Sequence, residues 1–289
     1  MAGPIVIAEI GGSSSRWAVV EEGIDRSFPL KGETLPGFNP LNGDGTLFRE
    51  AMDAYFTQAH PDVLKAGTVL VYAAGCGSPQ RSALVRQALA PLWPGTTGIA
   101  VESDLLGAAR GLCGRSKGMV LILGTGMNAG FFDGDQLWCP MPSLGWILGD
   151  EGSGADLGRT LLQDAFYKRM PEHLSMALFG AEGPALETVL QQVYRSPFPA
   201  RALAAHTALL VPYLEEAYVR DLIVSRFHAM AEVLTAFFPL EQRAEVNATG
   251  SVAWGFRELL AEVLLDRGMT LTVVERDPLP GLVRYHRPG

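Results

Sequence analysis

Twice along this chain a short apolar strand runs into a turn of glycine and hydroxyl residues and out into a second strand. The first instance is Ile5 to Glu9, Gly11-Gly12-Ser13-Ser14-Ser15 and Trp17 to Val20, with a third strand near Ser27 to Leu30. The second is Met119 to Leu123, Gly124-Thr125-Gly126 and Asn128 to Phe132, then the turn Asp133-Gly134-Asp135 and strand Gln136 to Cys139. Apolar stretches of this length, bounded by small turn residues, read as hairpins. After the first hairpin the pattern predicts a helix over Thr46 to Ala59, with Leu47, Ala51, Ala54, Tyr55 and Gln58 near one face. Strand Thr68 to Tyr72, helix Ser82 to Leu92, strand Gly98 to Val101 and helix Leu105 to Leu112 follow. After the second hairpin, a mainly helical stretch from Ala155 to Phe238 precedes strand Glu245 to Ala248, helix Trp254 to Leu265 and strand Leu271 to Val274. Two βββα-type units in series predict two α/β lobes around a cleft, residues 1–112 and 113–289. The second lobe is enlarged by helices, and its last residues are free to pack back on the first.

A chain of 289 residues with 48% hydrophobic and 19% charged residues buries a large core, and its apolar runs are too short to cross a bilayer. No basic segment precedes the short run Ile5 to Ala8, so a cytoplasmic protein is expected. Cys76, Cys113 and Cys139 form no CxxC pair and no spacing for zinc, a disulfide framework or an iron–sulfur cluster. The formal net charge of -8, with no concentration of Lys or Arg, argues against nucleic acid and anionic membranes as partners. An anionic ligand must therefore be held by backbone N–H groups and a metal ion.

Glycine- and hydroxyl-rich turns suit that task, because they aim several N–H groups at one anion. No GxxxxGK[ST] sequence is present, and Gly124-Thr125-Gly126 is followed by a strand where a dinucleotide fold needs a helix. Glu9, just before the first turn, is placed to hold Mg²⁺ beside nucleotide phosphates. Asp104, after a strand and at the start of a helix, is either an N-cap or a general base facing a cleft. The densest segment is PSLGWILGDEGSGADLG from Pro142, with five glycines and the carboxylates of Asp150, Glu151 and Asp156. That glycine density implies close backbone approach, and Asp150 can accept hydrogen bonds from neighbouring sugar hydroxyls. Gly250-Ser251 joins a strand to a helix, a step against which an adenine ring can lie.

The segments EIGGSSSRW from Glu9, PGFNP from Pro36, VESDLLGAARGLCG from Val101, LGTGMNAG from Leu123, SLGWILGDEGSGADLG from Ser143, TGSVAW from Thr249 and PLPGLVRYH from Pro278 together resemble the N-acetylglucosamine kinase family. That family lies in the BadF/BadG-type branch of the actin, Hsp70 and hexokinase superfamily. The resemblance implies two actin-like, ribonuclease H-like lobes and ATP-dependent phosphorylation of an amino sugar, N-acetylglucosamine at its 6-hydroxyl, with Mg²⁺. N-acetylmuramic acid, glucosamine or a turnover-poor sugar sensor are the alternatives, and homodimerisation is left open. It implies that Glu9, Gly11, Gly12 and Ser13 form the first phosphate motif and Thr125 with Gly126 the second. Gly250 and Ser251 then hold adenosine, Asn39, Ser143, Leu144, Gly145 and Asp150 hold the sugar, and Asp104 is the catalytic base. Relatives usually carry Thr followed by Lys or Arg where this chain has Ser13 and Ser14, and often Ser where it has Met127. Arg16 shares the face of Ser14 if the hairpin is regular.

Overall fold

The computed structural model describes residues 4–21, 24–41, 43–96 and 98–287. The chain divides into two compact units, one of Met1–Arg115 with Asp277–Gly289 and one of Ser116–Arg276. The C-terminal stretch thus belongs to the first unit.

The first unit contains β1 (Ile5–Ile10), β2 (Ser14–Glu21), β3 (Ile24–Phe28), β4 (Leu35–Pro36), α1 (Thr46–Ala59), β5 (Thr68–Ala73), α2 (Pro79–Leu89), β6 (Ile99–Ser103) and α3 (Asp104–Cys113). Its sheet order is β3-β2-β1-β5-β6, with β4 pairing β2. The hairpin pairs are antiparallel, whereas β1, β5 and β6 run parallel and are joined through helices, as parallel strands require. Both faces of the sheet are buried. Val6, Ala8, Ile10, Trp17 and Val19 pack with Phe56, Met52 and Trp93 on one side, and Ile7, Ala18 and Val20 face Leu279, Leu282 and Val283 on the other.

The helix expected over Thr46 to Ala59 forms, but on a different face. Phe48, Met52 and Phe56 are buried at four-residue spacing while Leu47 is 82% exposed. The aromatic side chains remove more surface from water than the Leu47 and alanine set, and they decide the phase.

The second unit repeats the plan with β7 (Gly118–Leu123), β8 (Met127–Phe132), β9 (Leu137–Trp138), α4 (Gly145–Leu148), α5 (Gly154–Phe166), α6 (Glu172–Phe179), α7 (Leu186–Tyr194), α8 (Pro199–Ala205), α9 (Ala217–Phe237), α10 (Leu240–Arg243), β10 (Glu245–Thr249), α11 (Ser251–Gly255), α12 (Arg257–Asp266) and β11 (Thr270–Glu275). Helix α13 (Leu279–His286) follows and packs on α3 in the first unit. The second sheet runs β11-β10-β7-β8-β9, with the same sequence of parallel and antiparallel pairs as the first. Its core joins Met119, Leu121 and Leu123 to Leu161, Phe227, Met230 and Leu260. No helix among the described residues is long and apolar enough to cross a membrane.

Candidate active site

The first unit gathers one group of expected site residues around the β1–β2 turn. Gly11 donates its N–H to the Ser14 carbonyl at 2.9 Å, closing the turn, and its own carbonyl accepts the Phe38 N–H at 3.0 Å. The PGFNP segment is thereby laid on the turn. A side chain at Gly37 would collide with the backbone of Gly11, Ser13 and Ser14, so glycine is required there. Asn39 follows, its Oδ1 accepting the Leu41 N–H at 3.0 Å and lying against Gly75, which has a φ of 76°. A Cβ on Gly12 would meet nothing within 4 Å among the described atoms, which leaves the tip of the turn open to an approaching group.

Glu9 pairs with Arg16 across the ladder, and the pairing continues in register through Ile10 with Ser15. The hairpin is regular, so Arg16 and Ser14 share a face. Arg16 Nη1 lies 3.4 Å from Glu9 Oε2 and its Nε 3.6 Å from Asp277 Oδ2. Burial pushes the Glu9 carboxyl up to about 7; Arg16 lowers it, and the fields of Asp104 and Asp277 raise it. Nothing local in the chain marks Asp277, because its partner comes from strand β2.

The capping role weighed for Asp104 belongs to its neighbour. Ser103 is the N-cap of α3, its Oγ accepting the Leu106 N–H at 3.2 Å. Asp104 is the first helical residue, with Oδ1 accepting the Leu105 N–H at 2.9 Å. Burial pushes its carboxyl up to about 6 against the lowering effect of that N–H. A carboxylate whose proton affinity lies near neutrality is well matched to general-base chemistry.

The second unit gathers the other group around the β7–β8 turn. The Gly124 and Thr125 carbonyls accept the N–H groups of Gly154 and Ala155 at 2.7 and 3.0 Å, tying the turn to the start of α5. Gly126 lies against the Asp150 carboxylate, and Gly250, with a φ of 116°, backs onto Leu123 and Gly124. Asp150 is one of two described non-glycine residues with positive φ, at 60°. Burial pushes its carboxyl up to about 6, against the Met127 N–H that lowers it. Ser251 opens α11 and is exposed. Ser143 and Leu144 are exposed, and Gly145 begins α4 with a φ of 72°.

Much of the glycine density in the Pro142–Gly158 segment has a structural cause. Gly158 lets α5 touch the α8 backbone at Leu203, Gly152 abuts Phe227 and Met230, and Gly154 sits under Gly124. Asp156 is structural too. It is 2% exposed and is held by Arg159 and Arg226, each at 2.7 Å, and by the Gly152 N–H at 2.9 Å. Arg159 also donates to the Trp146 carbonyl at 3.0 Å, fixing α4 to the same node. Among the described residues no group of three or more His, Cys, Asp and Glu side chains is placed to hold a metal ion.

No protein-family model matches the chain, and no curated protein matches it. Solved structures do. A protein of Porphyromonas gingivalis, provisionally named as an N-acetylglucosamine kinase, is 33% identical over 98% of both chains with a TM-score of 0.86. A second provisionally named N-acetylglucosamine kinase, from Chromobacterium violaceum, is 16% identical over 98% of this chain and 99% of its own, with a TM-score of 0.64. A ROK family glucokinase from Streptomyces griseus, solved with glucose and AMPPNP, is 16% identical over 98% of both chains with a TM-score of 0.59. Two α/β units of matching strand order and this set of neighbours define a sugar kinase of the actin-like class. Its identity to the P. gingivalis protein runs along essentially the whole of both chains, and the chain belongs to the N-acetylglucosamine kinase family.

Proposed function

We propose that the chain transfers the γ-phosphoryl group of ATP to the 6-hydroxyl of N-acetylglucosamine. The observation that carries this reading is Asp104. Ser103 takes over the capping of α3, and the Asp104 carboxyl, raised to about 6, is left as a base that is ionised at neutral pH. It takes the proton from the attacking hydroxyl. Asn39 and Asp150, with the Ser143 to Gly145 backbone, hold the sugar. Gly11, Gly12 and Ser13 and the pair Thr125 and Gly126 hold the phosphates, and Gly250 with Ser251 the adenosine. The open space at Gly12 and Gly124 supports this, since backbone N–H groups approach phosphate most closely where no side chain intervenes.

Glu9, with the negative fields of Asp104 and Asp277 reaching it, fits Mg²⁺, which takes one or two carboxylates and fills its shell with water and phosphate oxygens. Glu9 would hold it. The ion would neutralise charge on the transferring phosphoryl group. The chain's own part is positioning and proton removal, with no covalent intermediate.

A panel of N-acetylglucosamine, N-acetylmannosamine, N-acetylmuramic acid, glucosamine and glucose with MgATP, following ADP release and identifying the product, tests the proposal. N-acetylglucosamine 6-phosphate as the fastest product is expected. ADP release at the same rate without sugar, or sugar binding without turnover, would overturn it.

A further inference from the structure

Arg110, Arg115 and Arg284 line an open cavity of about 420 Å³ at the C-terminal end of α3, with Cys113 and Tyr285. The Arg110 and Arg115 guanidinium carbons lie 5.4 and 5.3 Å from the centre of the Tyr285 ring. None of the three arginines forms an ion pair with a carboxylate among the described residues. Arg110 Nη1 donates to the Tyr72 hydroxyl at 2.9 Å, while its Nε is buried with no partner among the described residues. Tyr72 in turn lies 2.6 Å from His286 Nε2, and burial together with the Arg110 field holds His286 down to about 4, so the imidazole is neutral. The field of Glu102 reaches Arg110, but that carboxylate is exposed to solvent and makes no ion pair with it.

A chain with a net charge of -8 has therefore converged three cations on one cavity, with no carboxylate paired to them among the described residues. Like charges lining one cavity repel, and a partly buried guanidinium with an unused donor is unfavourable unless an anion completes it. Guanidinium groups match phosphate oxygens in a fork that ammonium groups lack. The volume falls in the range of small-molecule sites, and the Tyr285 ring steadies two of the guanidiniums beside it. The walls are preformed, because a side chain at Gly281 would collide with Gly111, so α13 crosses α3 in direct backbone contact. We propose that this cavity binds a small phosphomonoester of hexose size. It is separate from the candidate active site, since Asp104 stands at the opposite end of α3, roughly 15 Å away at the helical rise.

Calorimetric titration of the full chain with glucose 6-phosphate, and separately with inorganic phosphate, tests the proposal. N-acetylglucosamine and a non-hydrolysable ATP analogue are kept at saturation so that the candidate active site is filled. Glucose 6-phosphate is expected to bind more tightly than inorganic phosphate, and the Arg115→Ala/Arg284→Ala double variant to bind it at least tenfold more weakly. Arg284→Gln, a single change at an exposed position, should weaken it at least threefold with an unchanged unfolding midpoint. No binding to the unaltered chain, or equal binding by the variants, would overturn the site, and equal affinity for the two probes would overturn the assignment to a sugar-sized ester. The readout is binding and the variants leave Glu9 and Asp104 in place, so it stands whether or not the chain proves to be an N-acetylglucosamine kinase.

Discussion

Arg16 stands directly across the β1–β2 ladder from Glu9, its Nη1 3.4 Å from the carboxylate. A cation is thus present at the first phosphate motif although Ser14 is not one. Arg16→Ala removes the group that lowers the Glu9 carboxyl, which burial already raises to about 7, and more of it is protonated at neutral pH. The KM for ATP should rise roughly 10–100-fold, the size of a lost charged hydrogen bond, with the sugar KM unchanged. Ser14→Lys, on the same face, should recover much of that loss in the Arg16→Ala background and little in the original chain. Steady-state kinetics on the four chains checks this, and an unaltered ATP KM in Arg16→Ala would show that Arg16 serves only Glu9 and Asp277.

Asp104→Asn separates function from stability. With Asp104 as the base, kcat should fall about 10²–10⁴-fold with sugar binding retained. In the original chain kcat at saturating sugar and ATP should fall as pH drops through about 6, where the base takes up its proton. The carboxyl has its usual affinity in the unfolded chain and a raised one in the fold, so the fold loses stability as pH rises from about 4 to about 6. Above that window the cost of the buried charge is complete. Asparagine avoids it, and Asp104→Asn should stabilise the free protein by about 1–3 kcal/mol at pH 8, with the gain vanishing below about pH 4. Chemical unfolding at both pH values measures this.

The hairpins and their glycine-rich turns were legible because they depend on neighbours a few residues apart, and so were Glu9, Asp104 and Asp150 as candidates. Relations across the chain were not. Asp277 meets Arg16 only because α13 returns to cover the first sheet, and no periodicity in Leu279–His286 says which sheet it will cover. The glycines of the Pro142–Gly158 segment read as a sign of ligand contact. Gly152, Gly154 and Gly158 instead admit the chain's own α9, turn and α8, which a sequence cannot distinguish from a ligand. The phase of α1 departs from the one that Leu47 and the alanines suggest, because Phe48 and Phe56 have more surface to bury.

Gly37→Ala should damage two sites at once. The added methyl group meets the backbone of Gly11, Ser13 and Ser14, none of which can swing aside as a side chain does. Overpacking against backbone costs about 1–3 kcal/mol or more, and displacement of PGFNP would move Asn39 together with the phosphate turn. A lower urea midpoint with both ATP and sugar KM raised is expected. Normal values for all three would mean that the segment is not seated on the turn.

Asp156→Ala should behave differently from a loss of substrate contact. The side chain is 2% exposed and satisfies Arg159, Arg226 and the Gly152 N–H together, so its removal leaves two guanidiniums uncompensated. A loss of about 3–5 kcal/mol is expected. Equal proportional loss of ATP and sugar binding should accompany it, as far as the variant folds.

Asp150→Asn tests the sugar contact itself. Asparagine tolerates the left-handed backbone that Asp150 adopts at φ 60°, keeps the shape against Gly126, and removes only the charge. If Asp150 accepts hydrogen bonds from two sugar hydroxyls, the charged acceptor is worth more than the amide that replaces it. Sugar affinity should then drop roughly 10–100-fold, while the affinity for ATP, whose phosphates are proposed to meet the turn through backbone N–H groups, changes little. In the original chain sugar binding should weaken as pH falls through about 6, because protonation converts one acceptor oxygen into a donor. Asp104 titrates in the same range, so the measurement must be equilibrium binding of sugar in the Asp104→Asn background rather than turnover. There the pH dependence should persist with Asp150 present and disappear in the Asp104→Asn/Asp150→Asn pair. Sugar binding that is equally tight and equally pH-dependent in both chains would assign Asp150 to holding the β7–β8 turn through Met127, with no direct part in recognising the sugar.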